Sequence, residues 1–319
     1  MRPASSQPPP GRAAAMPSNC SLRSRDQETT VLHATRAASL LRMPSMGCFF
    51  CGRPWTEVRK SFEHIWPEWL HGYAKVAPGK ITRSLGVLHN ADTQEFIEHP
   101  LTTSTSNASL LNLRTREVCR PCNSGWMSQA QQAAKPLFLA LADAAQRNTP
   151  TALSRSDARK IAFWVQMTAI THELTSGRRL VSRTAMGQRL RSGKLLRGSL
   201  VWAARNTRDF DLSIAQAQMD VSNTPIVRPG DPYRRVLLTA IVYHSLTFLV
   251  FITDSPGQQV APPIRFDLWS RMWPISGSTA EYPPMLAISG PELTATLAQP
   301  DRWIPPARFS RLRRHQPTP

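Results

Sequence analysis

The sequence predicts an α+β chain: a small cysteine-bearing module, then helices, then an antiparallel, β-rich C-terminal region. Three observations carry this expectation. Two C-x-x-C pairs stand at 48/51 and 119/122. Apolar residues then recur at helical spacing through "SRSDARKIAFWVQMTAITHEL", and from Ser199 onward the apolar period falls to two.

Residues 1–45 read as a disordered arm, because "PASSQPPPGRAAAMPS" offers too little apolar surface to offset its ordering entropy. Arg2 and Arg12 precede no continuous apolar stretch, so no signal-peptide pattern is present. Residues 46–148 form the cysteine-bearing segment. Its centre, "TTSTSNAS", reads as a polar loop between two extended pieces. After Asn123 an Ala- and Gln-rich helix is expected, with Pro136 kinking it or starting a second one.

Residues 149–305 read as a helical and then β-rich domain. Ile161, Trp164, Val165, Thr168 and His172 share helical spacing, and Ser154 or Ser156 is the expected N-cap. A shorter helix is expected around 182–192. "SLVWAAR", "DLSIAQAQMD", "RRVLLTAIVY" and "LTFLVFITD" read as antiparallel strands. The uncharged run 236–253 is long enough to suggest a membrane span. Its β-branched content and the Tyr243-His244-Ser245 break instead predict a hairpin of two buried strands. Residues 306–319 form a basic tail with Arg308, Arg311, Arg313 and Arg314.

Charge points to the partner class. The 319 residues hold 39 basic against 21 acidic side chains, a net charge of +18. Only six of the basic residues are lysine. Such a field favours polyanions, and the planar arginine fork suits phosphate. Nucleic acid is the first partner expected, an anionic membrane surface is the weaker alternative and no membrane partner is expected, and the sequence does not set the oligomeric state. Between Arg178 and Arg208 lie nine basic residues and no acid. Arg178, Arg179, Arg183, Arg189, Arg191, Lys194 and Arg197 are either a solvated face or a strip of phosphate contacts.

Four of the five cysteines, Cys48, Cys51, Cys119 and Cys122, fall in the two pairs, and Cys20 stands alone in the arm. Paired knuckles supply four thiolates, the tetrahedral soft-ligand set that zinc prefers. The long insert is no obstacle, since loop closure costs only about 0.6 kcal/mol more per doubling of length. An iron–sulfur site, a redox dithiol and two unrelated pairs are the other readings. A structural zinc in a reducing, cytoplasmic compartment is the expectation.

Between the knuckles stands "FEHIWPEWL". Alone, Glu63 and His64 would merely decorate a strand end before a short helix opened by Pro67. Taken in order, Cys48-Phe-Phe-Cys51, Glu63-His64-Ile-Trp-Pro67 and Cys119-Arg-Pro-Cys122-Asn123 with Gly125-Trp126-Met127 resemble the zinc-knuckle variant of the HNH endonuclease family. The resemblance spans 47 to about 138. The chain beyond is similar to bacterial and phage members.

The resemblance implies a ββα-metal (HNH, or His-Me finger) module braced by zinc. It implies His64 as general base and Glu63 with Asn123 holding a divalent ion, Mg²⁺ or Mn²⁺. It implies hydrolysis of DNA phosphodiesters to 5′-phosphate and 3′-hydroxyl ends. The family more often carries Asp at the position of Glu63. Its middle Asn is matched only by Asn112, which sits farther from Cys119 than the pattern has it. A catalytically inactive zinc-knuckle DNA-binding or interaction protein is the alternative. Trp66, Trp126 and Met127 are expected in the module's core. His71, His89, His99 and His172 lack metal-ligand spacing and read as surface or satisfied histidines.

Ordered-looking sequence begins at "MGCFFCGRPW", which makes Met43 or Met46 an alternative start. Mass spectrometry of the native protein's N-terminus checks this: a peptide beginning at Met43 or Met46 is the expected product, and one beginning at Met1 contradicts it.

Overall fold

The computed structural model describes residues 46–73, 81–87, 99–106, 110–175, 181–207, 212–221, 234–253, 268–275, 278–283 and 286–289. The arm, Cys20, His89, the basic tail, Arg178 and Arg179 lie outside the described residues. The elements run β1 (Glu63–His64), β2 (Ile81–Val87), β3 (His99–Ser106) and β4 (Arg114–Thr115). The helical turn α1 (Arg120–Cys122), α2 (Ser128–Arg147), β5 (Thr151–Ser154), α3 (Arg155–Thr175) and α4 (Thr184–Arg191) follow. The β-rich part comprises β6 (Leu200–Asn206), β7 (Leu212–Val221), β8 (Arg234–Tyr243), β9 (Leu246–Thr253), β10 (Ser270–Trp273), β11 (Thr279–Tyr282) and β12 (Ala287–Ile288).

The chain is therefore α+β, as the two periodicities predict. β8 and β9 form the expected hairpin, turning at His244, whose φ is +48°. They lie inside a sheet ordered β10-β6-β9-β8-β7, with β12 parallel to β6. Every residue of β9 is buried, because the sheet is covered on both faces. One face sends Val201, Leu237, Ile241, Phe248 and Val250 into the main core, while Trp202, Leu238, Leu249 and Phe251 pack in a second cluster with Leu268 and Trp269. That double burial explains why 236–253 reads as one continuous apolar run. Among the described residues no helix is long and apolar enough to cross a membrane.

Two expectations need correction. Five residues of "TTSTSNAS" lie in β3, which pairs antiparallel with β2 from Ile81↔Ser106 to Val87↔His99. Threonine's branched Cβ suits a strand even where polarity suggests a loop. Pro136 starts no second helix: α2 runs through it to Arg147 and ends at Asn148 in the left-handed region. Packing of Ala134, Phe138, Leu141 and Ala145 against the core outweighs the one backbone bond that Pro136 removes.

α3 is the axial element, buried on nearly all sides. Ser154 caps it as expected, its Oγ accepting from Asp157 N at 3.1 Å. Two of its buried polar side chains, Gln166 and Glu173, are held by hydrogen bonds, while the buried Trp164 indole Nε1 finds no partner among the described residues. Gln166 donates to Ser199 Oγ at 2.7 Å and accepts from Leu196 N at 2.9 Å. Glu173 accepts from Val181 N and Ser182 N, both at 2.9 Å.

Aromatic contacts tie the cysteine module to this scaffold. Phe138 of α2 meets Trp69, Trp164, Tyr243 and Phe248, at 5.5, 5.1, 5.1 and 6.1 Å between ring centroids. Trp126 bridges Phe50 of the first knuckle and Phe163 of α3. The core is continuous from Cys48 to Tyr282, and Trp66 and Met127 are fully buried in it.

α4 seats directly on the first knuckle. A Cβ on Gly187 would stand 2.6 Å from the Phe49 carbonyl oxygen, so only glycine permits this approach. Gly187→Ala gains about 1 kcal/mol of helix propensity and loses about 1–3 kcal/mol to overpacking. The net expectation is a lower urea midpoint for the variant, and an unchanged or raised midpoint contradicts this account of the docking.

Candidate metal and active site

The two knuckles are local turns that a few backbone bonds press together. In the first, Gly52 N donates to Cys48 O at 2.8 Å, and Cys48 N donates to Arg53 O at 2.9 Å. Gly52 stands at φ +72°, a conformation glycine adopts without steric cost. In the second, Cys119 precedes the α1 turn, which contains Pro121. Phe49 N then donates to Glu117 O at 2.9 Å, and Cys119 N to Cys48 Sγ at 3.3 Å.

The result brings all four sulfurs within 4.8 Å of one another. Cys51 Sγ and Cys119 Sγ are 3.7 Å apart, whereas a tetrahedral zinc with bonds of about 2.3 Å would space its sulfurs by about 3.8 Å. The four cysteines are free thiols, and together they can hold a metal ion such as zinc. Their proton affinities diverge. A hydrogen bond from Cys122 brings the Cys48 thiol down to about 4, and burial pushes Cys119 up to about 11. Cys122 is raised by its bond to Cys48.

Beside this cluster lies a cleft of about 500 Å³ lined by Glu63, His64, Pro67, Glu68, Asn123, Ser128 and Gln131, among others. β1 builds one wall and is paired with β4, Glu63 opposite Thr115 and His64 opposite Arg114. Alternation along extended chain sends neighbouring side chains to opposite sides. Glu63, Ile65, Leu113 and Thr115 are accordingly buried, while Phe62, Arg114 and Arg116 are exposed and His64 half-exposed.

Glu63 is 4% exposed and accepts from Gln131 Nε2 at 3.0 Å. Burial raises its carboxyl to about 8, against which the Gln131 bond acts weakly. Among the described residues no positive charge contributes to this balance. Asn123 follows Cys122 directly, and its backbone N donates to Cys119 O at 3.0 Å. Its Nδ2 donates to Ser61 Oγ at 2.7 Å, which sets the orientation of its Oδ1. The backbone kinks at Gly125 before α2 begins.

His64 Nε2 accepts from Arg114 Nε at 2.6 Å. Its ring stands edge-to-face on His71, with centroids 5.6 Å apart. Partial burial, then the Arg114 and His71 charges, lower its proton affinity despite Glu68. The imidazole is therefore neutral near pH 7.

The structure thus brings Glu63, His64 and Asn123 to one cleft. It leaves Asn112 outside, exposed in the short helical turn Leu110–Asn112. Among the expected nucleic-acid residues, Arg183, Arg191, Lys194 and Arg197 are exposed. Arg189 is half-buried and donates from Nε to Leu195 O at 2.6 Å. Compared with known protein families, curated proteins and solved structures, the chain matches none.

Sequence reasoning missed Ser61, Arg114 and Gln131. Gln131 lies eight positions beyond Asn123 on the following helix, and that spacing was the available signal. Arg114 and Ser61 are set by cross-strand register, which no local pattern encodes.

The raised Glu63 carboxyl has a measurable sign. The folded protein holds that proton more tightly than the unfolded chain, whose carboxyl titrates near 4.5. The stability it contributes is complete below that value and lost as pH rises through about 8. Urea titrations without Mg²⁺ or Mn²⁺ are expected to show stability falling across this window, and Glu63→Gln to flatten the fall. An identical slope in the variant contradicts the assignment.

Proposed function

We propose that this protein is a metal-dependent HNH-type endonuclease that hydrolyses DNA phosphodiester bonds on a scaffold braced by zinc. The observation that carries the reading is the meeting of Glu63, His64 and Asn123 in one cleft, with Asn123 directly following the fourth cysteine. Among the described residues the buried Glu63 carboxyl is hydrogen-bonded only by the neutral amide of Gln131, which suits an added cation. With the Asn123 carbonyl it supplies the oxygen donors that a hard ion takes.

Glu63 and Asn123 would hold Mg²⁺ or Mn²⁺, and a bound ion would supply stabilisation of negative charge on the phosphate. His64 takes the proton of the attacking water while the water oxygen bonds to phosphorus. The bond to the 3′ oxygen breaks, and that oxygen gains a proton from solvent. The products are a 5′-phosphate and a 3′-hydroxyl. Zinc held by Cys48, Cys51, Cys119 and Cys122 would keep Ser61 and Asn123 in register and would take no part in the chemistry.

Charge supports DNA as the substrate. The net charge is +18, and exposed Arg183 and Arg191 flank and end α4, the helix seated against the first knuckle. One observation favours a second reading, a zinc-knuckle DNA-binding protein without catalysis: Arg114 covers the His64 nitrogen that a base would use.

Supercoiled plasmid separates the two. Wild-type protein is expected to nick it only with Mg²⁺ or Mn²⁺, and His64→Ala to lower the rate about 10²-fold or more. Nicking that survives His64→Ala contradicts the mechanism. DNA binding with no cutting in either metal favours the binding module.

A further inference from the structure

A neutral imidazole has one ring nitrogen that carries a proton and one that can receive it. His64 accepts a hydrogen bond from Arg114 at Nε2, so its proton resides on Nδ1. The nitrogen that a general base needs is therefore the one Arg114 covers at 2.6 Å. A single lone pair cannot serve both the guanidinium and a reacting water.

Arg114 is placed to leave. It stands opposite His64 across the two-residue ribbon, with its side chain exposed. It forms no salt bridge with a carboxylate among the described residues. On the same outward side, the Arg116 guanidinium lies 4.6 Å over the ring of Phe62, which is 52% exposed. The ribbon that carries His64 into the cleft is thus cationic on its exposed side. A guanidinium–phosphate contact is charge-assisted and can be bidentate, about twice as strong as a bond between neutral partners. Phosphate therefore competes effectively with a neutral imidazole for Arg114.

We propose that Arg114 is a phosphate-operated cover on His64. Without substrate its Nε–H occupies His64 Nε2. A phosphodiester entering the cleft draws the guanidinium onto a non-bridging oxygen, and the exposed Nε2 then receives the proton of the attacking water. The base is freed only when a phosphate is present to be cut. This rests on the reading of the cleft as a phosphodiester-hydrolysing centre, and it reconciles the covered nitrogen with that role.

The test uses the full chain labelled with ¹⁵N at histidine, and a short DNA duplex without added divalent ion, so that binding is read apart from cutting. The His64 Nε2 resonance of the wild-type protein is expected to move on adding duplex. Free Arg114→Gln is expected to show Nε2 already shifted, with little further change on adding DNA. The dependence of log affinity on log salt is expected to lose about one unit of slope in Arg114→Gln, and Arg114→Lys to retain it. With Mg²⁺, Arg114→Gln should raise KM for plasmid more than tenfold, whereas loss of structure alone would lower active fraction without changing KM. An unmoved His64 Nε2 resonance in the wild-type protein with duplex bound overturns the proposal, as does an unchanged salt slope in Arg114→Gln. A wild-type protein that shows the exchange yet cuts nothing in Mg²⁺ or Mn²⁺ supports the Arg114 contact and removes the hydrolase reading.

Discussion

The meeting of four thiols is the constraint on which the remaining geometry depends. β1 and β4 contribute two residues each, far too little pairing to persist alone in water. Cys48 and Cys119 are separated by 71 positions, yet the backbone bonds between the knuckles require them side by side. A bound zinc contributes on the order of 10 kcal/mol to folding in small metal modules, against a closure cost of a few kcal/mol for the intervening chain. Such a clamp would hold the short ribbon, the Ser61–Asn123 hydrogen bond and the buried Glu63 in place.

The second support is apolar. Phe138 gathers Trp69 beside β1, Trp164 of α3 and two rings of the sheet, so the wall after Pro67 is fixed to the largest part of the core. Trp126 does the same for the first knuckle. The β-rich region thereby acts as a rigid backing to the cleft. Rigid backing would serve the proposed hydrolysis, whose donors must hold position while charge develops in front of them. Glu63 is held there as the protonated acid, since burial without a counter-charge disfavours its ionised form and raises its carboxyl to about 8.

What was legible in the sequence follows from the range of each signal. The C-x-x-C spacing, the Ser154 cap and the strands of the C-terminal region are local patterns, and each reappears in the fold. The convergence of Glu63, His64 and Asn123 was legible through an ordered motif. Threonine-rich β3 was not, because polarity masked a β-branched run and its partner β2 is distant in sequence. The continuity of α2 through Pro136 depends on tertiary packing. Arg114, Ser61 and Gln131 depend on register and on the turn between Asn123 and α2. None of these is set by nearest neighbours. Asn112 shows the converse: a motif can suggest a residue that the fold leaves in solvent.

The account stands or falls on whether the cysteine cluster holds metal as the structural clamp. Zinc content with X-ray absorption of the purified full chain, beside Cys122→Ser, measures this directly. The account predicts one zinc per chain with four sulfur ligands at about 2.3 Å, and loss of both the metal and cooperative unfolding in Cys122→Ser. A folded protein without bound metal, or a Cys122→Ser variant with unchanged zinc and unchanged unfolding, would contradict it.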